Sequence, residues 1–186
     1  MAEAKGNIIT KGLSGTIGRQ LTFRIKAGKT IVSKLLTPST APPSDKAAAI
    51  RAKFLSSSQY AKKAIKDPAL KALYKAAATG GQTAFNLALA DAFKAPVVSK
   101  ITTDNYHGVI GNTLLVEATD DFKVNAVVVS INSAAGDLLE KGNGVVQENG
   151  DWLYTTTAAN AALAGSKIMA IATDLPGNST SFTVTV

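Results

Sequence analysis

The chain has 186 residues, 46% of them hydrophobic, with no cysteine and a formal charge of +7, a size and balance that suit one large domain or two small ones with a buried core. The missing cysteines exclude disulfides, thiolate metal sites and cysteine nucleophiles, and no apolar run reaches the ~18 residues of a membrane span. Residues 1–96 hold sixteen Lys and Arg against four acids, whereas residues 97–186 hold four Lys against nine acids. A basic half joined to an acidic half suits either a nucleic-acid-binding segment carrying a solubilising module or a subunit that associates head to tail.

The opening residues, MAEAKGNIITKG, lack the continuous apolar core of a secretory signal. A cytoplasmic start is therefore the default expectation, with surface or particle association reached by another route. Residues 1–36 read as a β-hairpin arm. Gly12, Gly15 and Gly18 punctuate its start, and Leu21, Phe23 and Ile25 alternate with Thr22, Arg24 and Lys26, the period of a half-buried strand. A three-residue loop, Lys26-Ala27-Gly28, is expected, because a two-residue loop would set Lys26 opposite Lys29 and like charges repel across a ladder. In that register Phe23 faces Ile31 and Leu21 faces Ser33. Two strands are marginal alone in water, so the hairpin is expected to pack on its own helices or on another subunit.

Residues 37–43, with Pro38, Pro42 and Pro43, read as a linker that forbids helix and central strand. Residues 44–96 read as three helices. Ser44 caps the first, which is expected to bury Ala47, Ile50, Phe54, Ser58, Ala61 and Ile65 and to turn Lys46, Lys53, Lys62, Lys63 and Lys66 to solvent. Asp67-Pro68 starts the second, which offers Leu70, Leu73, Tyr74 and Ala77 and stops at Gly80-Gly81. The third carries Phe85, Ala88, Leu89, Ala92 and Phe93 and ends before Pro96. From Val97 the texture becomes β-branched. Strands are expected at 97–103, 113–119, 124–131, 152–157, 167–173 and 180–186, with turn residues between, the signature of an antiparallel sandwich. The fold class is therefore α+β in two parts: hairpin plus helices, then a sandwich.

The stretch VEATDDFKVNAVVVSI…GDLLEKG…DWLYTTT…AGSKIMAIATDLPGNSTSFTVTV, with Trp152 and Tyr154 on one strand and a last hairpin around Asp174–Asn178, resembles a bacterial immunoglobulin-like domain over residues 97–186. The resemblance implies an antiparallel immunoglobulin-like sandwich, a module that serves as spacer or binder. It lacks the cysteine pair of antibody domains. The SGTIG…GK start resembles bacterial proteins without an assigned function, and implies none.

Catalytic apparatus is not legible. His107 is the single histidine and sits in a turn-like DNYHG, without the clustered ligands zinc needs and without a G-x-S-x-G elbow. Gly12–Gly18 precedes a strand rather than a helix, unlike a phosphate-cradling loop. Asp104, Asp120-Asp121 and Asp174 read as turn residues; the alternative is that loops at one end of the sandwich converge on calcium. No cofactor, metal or small-molecule substrate is expected. The basic face attracts phosphate backbones, but its aromatics follow core spacing rather than forming a stacking platform. The remaining feature is the arm: an exposed β edge adds strands to a neighbour, and the last strand, without a charged gatekeeper, is its candidate acceptor. The expectation is a non-enzymatic structural protein, a filament, shell or phage-like appendage subunit, self-associating through Leu21, Phe23, Ile25, Ile31 and Val32, with Lys26, Lys29 and Lys34 meeting acidic sandwich surface. The alternatives are a nucleic-acid partner for the basic half, or adhesion to glycans through the sandwich.

Overall fold

The computed structural model describes residues 2, 3, 8, 10, 12–26, 28–36 and 41–186, residues 2 and 3 by their backbone alone. The chain forms two compact units, Met1–Ala49 and Ile50–Val186. Residues 50–96 of the helical segment and the C-terminal strands, expected as separate segments, fall in one unit. Residues 37–40 of the expected linker and Ala27 of the expected turn lie outside the described residues.

The first unit is a four-stranded antiparallel sheet in the order β1-β4-β3-β2, made of β1 (Ala2–Glu3), β2 (Gly15–Ile17), β3 (Leu21–Lys26) and β4 (Lys29–Lys34). The expected hairpin is therefore the middle of a sheet, flanked on both sides by short strands. Gly18 and Arg19 both adopt positive φ in the β2–β3 turn. The β3–β4 register corrects the expectation: Lys26 pairs with Lys29, Phe23 with Val32 and Leu21 with Lys34. Only two positions separate Lys26 from Lys29, and Gly28 at φ +75° supplies the left-handed backbone that a tight hairpin needs. Local turn geometry outweighs one pair of exposed like charges, whose cross-strand penalty is about 1 kcal/mol or less.

The helices are α1 (Asp45–Ala64), α2 (Pro68–Ala77) and α3 (Ala84–Phe93). Their caps follow the sequence. Ser44 Oγ accepts from the Ala47 amide at 3.3 Å, and Asp67 Oδ1 accepts from Ala69 and Leu70 ahead of Pro68. Thr83 caps α3 through Asn86. The buried stripe of α1 differs from expectation. Ala61 is buried with Ser57 and Ala64, whereas Ile50 and Phe54 are exposed. Small residues let α1 approach Tyr74, which is fully buried among Ala61, Ala64 and Ala88. Hydropathy ranks Phe above Ala, but a close helix contact selects by size. No helix among the described residues is long and apolar enough to cross a membrane.

Two further four-stranded antiparallel sheets complete the second unit. One runs β5-β6-β10-β9 and the other β12-β11-β7-β8. The strands are β5 (Val97–Thr102), β6 (Thr113–Thr119), β7 (Val124–Asn132), β8 (Leu138–Asn143), β9 (Val145–Val146), β10 (Trp152–Thr155), β11 (Lys167–Asp174) and β12 (Ser179–Thr185). Strands β8 and β9 were not expected. Their glycines, Gly142 and Gly144, weaken the strand signal, yet Gly142 is where Tyr154 lies closest: a Cβ there would stand 2.7 Å from the Tyr154 ring. Alternate residues point inward along β6, β7 and β11, so that Leu114, Val116, Val127, Val129, Ile131, Ile168 and Ala170 share one core with Trp152 and Tyr154. The coarse expectation of an α+β chain holds.

Candidate functional site

The eight residues singled out for assembly fall on two faces of the first sheet. Side chains alternate along a strand and cross-strand partners share a face. Leu21, Phe23, Ile25, Val32 and Lys34 therefore share one, and Lys26, Lys29 and Ile31 the other. Ile17, partner of Leu21 on β2, joins the first face. Sequence reasoning missed it because its strand is three residues long among glycines. Phe23 is buried, while Ile17, Leu21 and Ile25 remain 56%, 42% and 53% exposed. Thr30, opposite Ile25, is buried and its hydroxyl accepts from the Gly12 amide at 3.1 Å. The result is an apolar surface around one anchored aromatic ring. Monomeric proteins seldom leave such contiguous patches without a use.

The charge asymmetry takes a different form once the fold is known. Residues 1–49 hold eight Lys and Arg and two acids, whereas residues 50–186 hold twelve and eleven. The basic helices and the acidic strands offset one another within the second unit, for example at Lys94 Nζ and Asp121 Oδ2, 2.6 Å apart. Glu140 is buried, its Oε2 accepting from the Tyr154 hydroxyl, the Thr157 hydroxyl and amide and the Ala158 amide. Burial, then this bond to Glu140, raises the Tyr154 hydroxyl to about 12. Of the acids available to a partner, Asp104, Asp137 and Glu148 are exposed. The candidate acceptor strand β12 is bonded by its ladder to β11 alone and forms one edge of its sheet.

A second constellation was only half legible. Of the acids read as turn residues, Asp120 and Asp174 come together and Asp104 and Asp121 do not join them; the third member is Asp91, in the last turn of α3. Oxygens of Asp91, Asp120 and Asp174 all lie within 4.8 Å of one another. Asp91 is fully buried, Asp174 nearly so and Asp120 half-buried. Asp120 Oδ2 accepts from the Phe122 and Lys123 amides, and Asp174 Oδ1 from Gly177 and Asn178. These are the turn roles that the sequence suggested. Tyr74 donates to Asp91 Oδ2 at 2.5 Å, and its hydroxyl lies 3.0 Å from that of Tyr60. The Tyr74 ring meets Phe122 at 4.6 Å between centroids. Asp91 Oδ1 and Asp120 Oδ1 are buried without a hydrogen-bond partner. Burial raises the Asp91 carboxyl to about 7; the bond from Tyr74 pulls it down, and the charge of Asp120, a hydrogen bond that the protonated carboxyl makes with Asp120, and the charge of Asp174 push it up. Burial, then the bond to Asp91, holds the Tyr74 hydroxyl far above the usual tyrosine value.

The other candidates are ordinary. His107 is exposed in the loop between β5 and β6, its amide donating to Asn112 Oδ1 at 2.8 Å. Lys46, Lys53, Lys62, Lys63 and Lys66 are exposed on and just beyond α1, with Lys53 Nζ 5.2 Å from the Phe93 ring centroid. No family model matches the chain, and no curated protein matches it either.

Proposed function

We propose that the protein is a non-enzymatic structural subunit that self-associates through the apolar face of its N-terminal sheet, in a filament, shell or phage-like appendage. The observation that carries this reading is the half-exposed surface of Ile17, Leu21 and Ile25 around buried Phe23. A facing layer is what such a sheet requires, and a second copy supplies one. Lys26, which faces Lys29 across the ladder, gains from an acidic neighbour, and Asp137 and Glu148 of another copy offer one.

The second unit suits the role of a spacer. Its strand orders, β5-β6-β10-β9 and β12-β11-β7-β8, correspond to the A-B-E-D and G-F-C-C′ sheets of an immunoglobulin-like sandwich. That correspondence supports the immunoglobulin-like reading of residues 97–186. Heterologous contact between arm and sandwich edge builds rings or open polymers.

Light scattering and negative-stain electron microscopy on nucleic-acid-free protein test the reading. The full chain is expected to form ordered higher species, and the double variant Leu21→Lys, Ile25→Lys to remain monomeric. Monomers from both proteins overturn it. The exposed lysines of α1 favour a second reading, association with nucleic acid; a shift with duplex DNA by a protein that stays monomeric without it would support that one instead.

A further inference from the structure

We infer that Asp91, Asp120 and Asp174 form a binding site for a hard divalent cation, calcium by preference, where the end of α3 meets the β6–β7 and β11–β12 turns. Three separate elements deliver a carboxylate to one place, and the meeting is buried rather than spread over a surface. A cluster of acids alone would not identify a ligand site. The second observation is Asp91 itself: the residue is fully buried and its Oδ1 has no hydrogen-bond partner. Asp120 Oδ1 is buried and unpartnered in the same way.

The other oxygen of Asp91 and of Asp120, and both oxygens of Asp174, are engaged by groups that orient them. Tyr74 fixes Asp91 through Oδ2, the Phe122 and Lys123 amides fix Asp120 through Oδ2, and the Gly177 and Asn178 amides fix Asp174 through Oδ1. The Asn178 carboxamide donates to Asp174 Oδ2 at 2.7 Å. Donors behind ligating carboxylates are the arrangement by which proteins hold a metal's first ligands in place. None of the hydrogen bonds or ion pairs that the described residues make with these three acids comes from a Lys or Arg side chain; Lys94 pairs with Asp121 instead. Ionised, the three would place acceptors against acceptors in the interior, an arrangement resolved either by a proton held between Asp91 and Asp120 or by a cation, and calcium and terbium readouts separate the two.

The donor set decides the kind of cation. It is all oxygen, with neither imidazole nor thiolate, which suits calcium, magnesium or manganese rather than zinc or copper. Calcium binds oxygen at about 2.3–2.6 Å, so two oxygens on one ion lie up to ~5 Å apart; for magnesium the limit is ~4.2 Å and near-ideal octahedral geometry is required. Oxygens within 4.8 Å of one another, carried by three differently oriented elements, suit the larger and more tolerant ion. The site does not depend on the assembly role of the N-terminal sheet.

The test uses the full chain stripped with EDTA. Melting temperature is measured with calcium and with magnesium, alongside terbium luminescence sensitised through Tyr74, and both are repeated on Asp120→Asn and Asp91→Asn. Calcium at a hundredfold excess over its dissociation constant is expected to raise the melting temperature by about 5–10 °C. Terbium is expected to titrate to one bound ion that calcium displaces, and both signals are expected to vanish in both variants. Asp91→Asn removes a buried charge, so a folded control is available even where Asp120→Asn disturbs its turn. No calcium shift and no saturable terbium signal in the unmodified chain overturns the site. So does a response that survives in either variant.

Discussion

The two units use the same strand vocabulary and reach opposite outcomes. In residues 50–186 every inward strand face meets another layer, and Leu114, Val127, Ile131 and Ile168 are fully buried. In residues 1–49, Phe23 is the only large apolar side chain buried among the described residues, while Ile17, Leu21 and Ile25 remain about half exposed. Alternation decides which residues share a face; it does not decide whether anything covers that face. A second layer does, and among the described residues of the first unit it covers Phe23 and Thr30 but leaves Ile17, Leu21 and Ile25 about half exposed.

The sharpest way to break this contrast is by truncation. Leu114→Ala is expected to cost about 2–5 kcal/mol in urea unfolding, the loss typical of a fully buried leucine. Ile25→Ala in the monomer is expected to cost about 0.5 kcal/mol or less, as for an exposed site. Equal costs would mean that Ile25 is already covered in the single chain.

Next in size is a pH effect confined to the second unit. The folded Asp91 carboxyl titrates near 7, whereas in the unfolded chain it titrates near ~4. The folded state therefore holds the proton more tightly, and the contribution is full below pH ~4 and is lost as pH rises towards 7. In EDTA the protein is expected to lose stability on the order of 3 kcal/mol across that range relative to Asp91→Asn. Parallel pH profiles for the two proteins would show that Asp91 carries no such burden.

The smallest effect belongs to the first unit. Lys26→Glu replaces a like-charge cross-strand pair with Lys29 by an opposite one. It is expected to stabilise the hairpin by about 0.2–1 kcal/mol, read by amide exchange along β3 and β4. The same substitution is expected to weaken self-association where Lys26 meets acidic surface, so the two readouts move in opposite directions.

The helices were legible because their boundaries rest on local chemistry: Ser44, Asp67-Pro68 and Gly80-Gly81 each act within a few residues. The faces were less so. The α1 contact is chosen by the size of Ser57, Ala61 and Ala64, which hydropathy does not rank, and the β3–β4 register turned on one residue of loop length. Of the carboxylate cluster, Asp120 and Asp174 were visible as turn residues. Asp91 was not, because its partners are brought to it by tertiary structure alone. Its one signal is a lone acid in the largely apolar run AFNLALADAF, a charge that a buried helix keeps only at a cost.

Asn178 has a mechanical consequence. Its carboxamide donates to the Ala92 and Lys94 carbonyls at 3.4 and 3.2 Å as well as to Asp174, and Ser57 Oγ donates to the same Ala92 carbonyl at 3.0 Å. The end of α3 is thus riveted to α1 on one side and to the last β-turn on the other. The step from α3 into β5 is therefore tied by side-chain bonds to α1 and to the β11–β12 turn as well as by the chain itself.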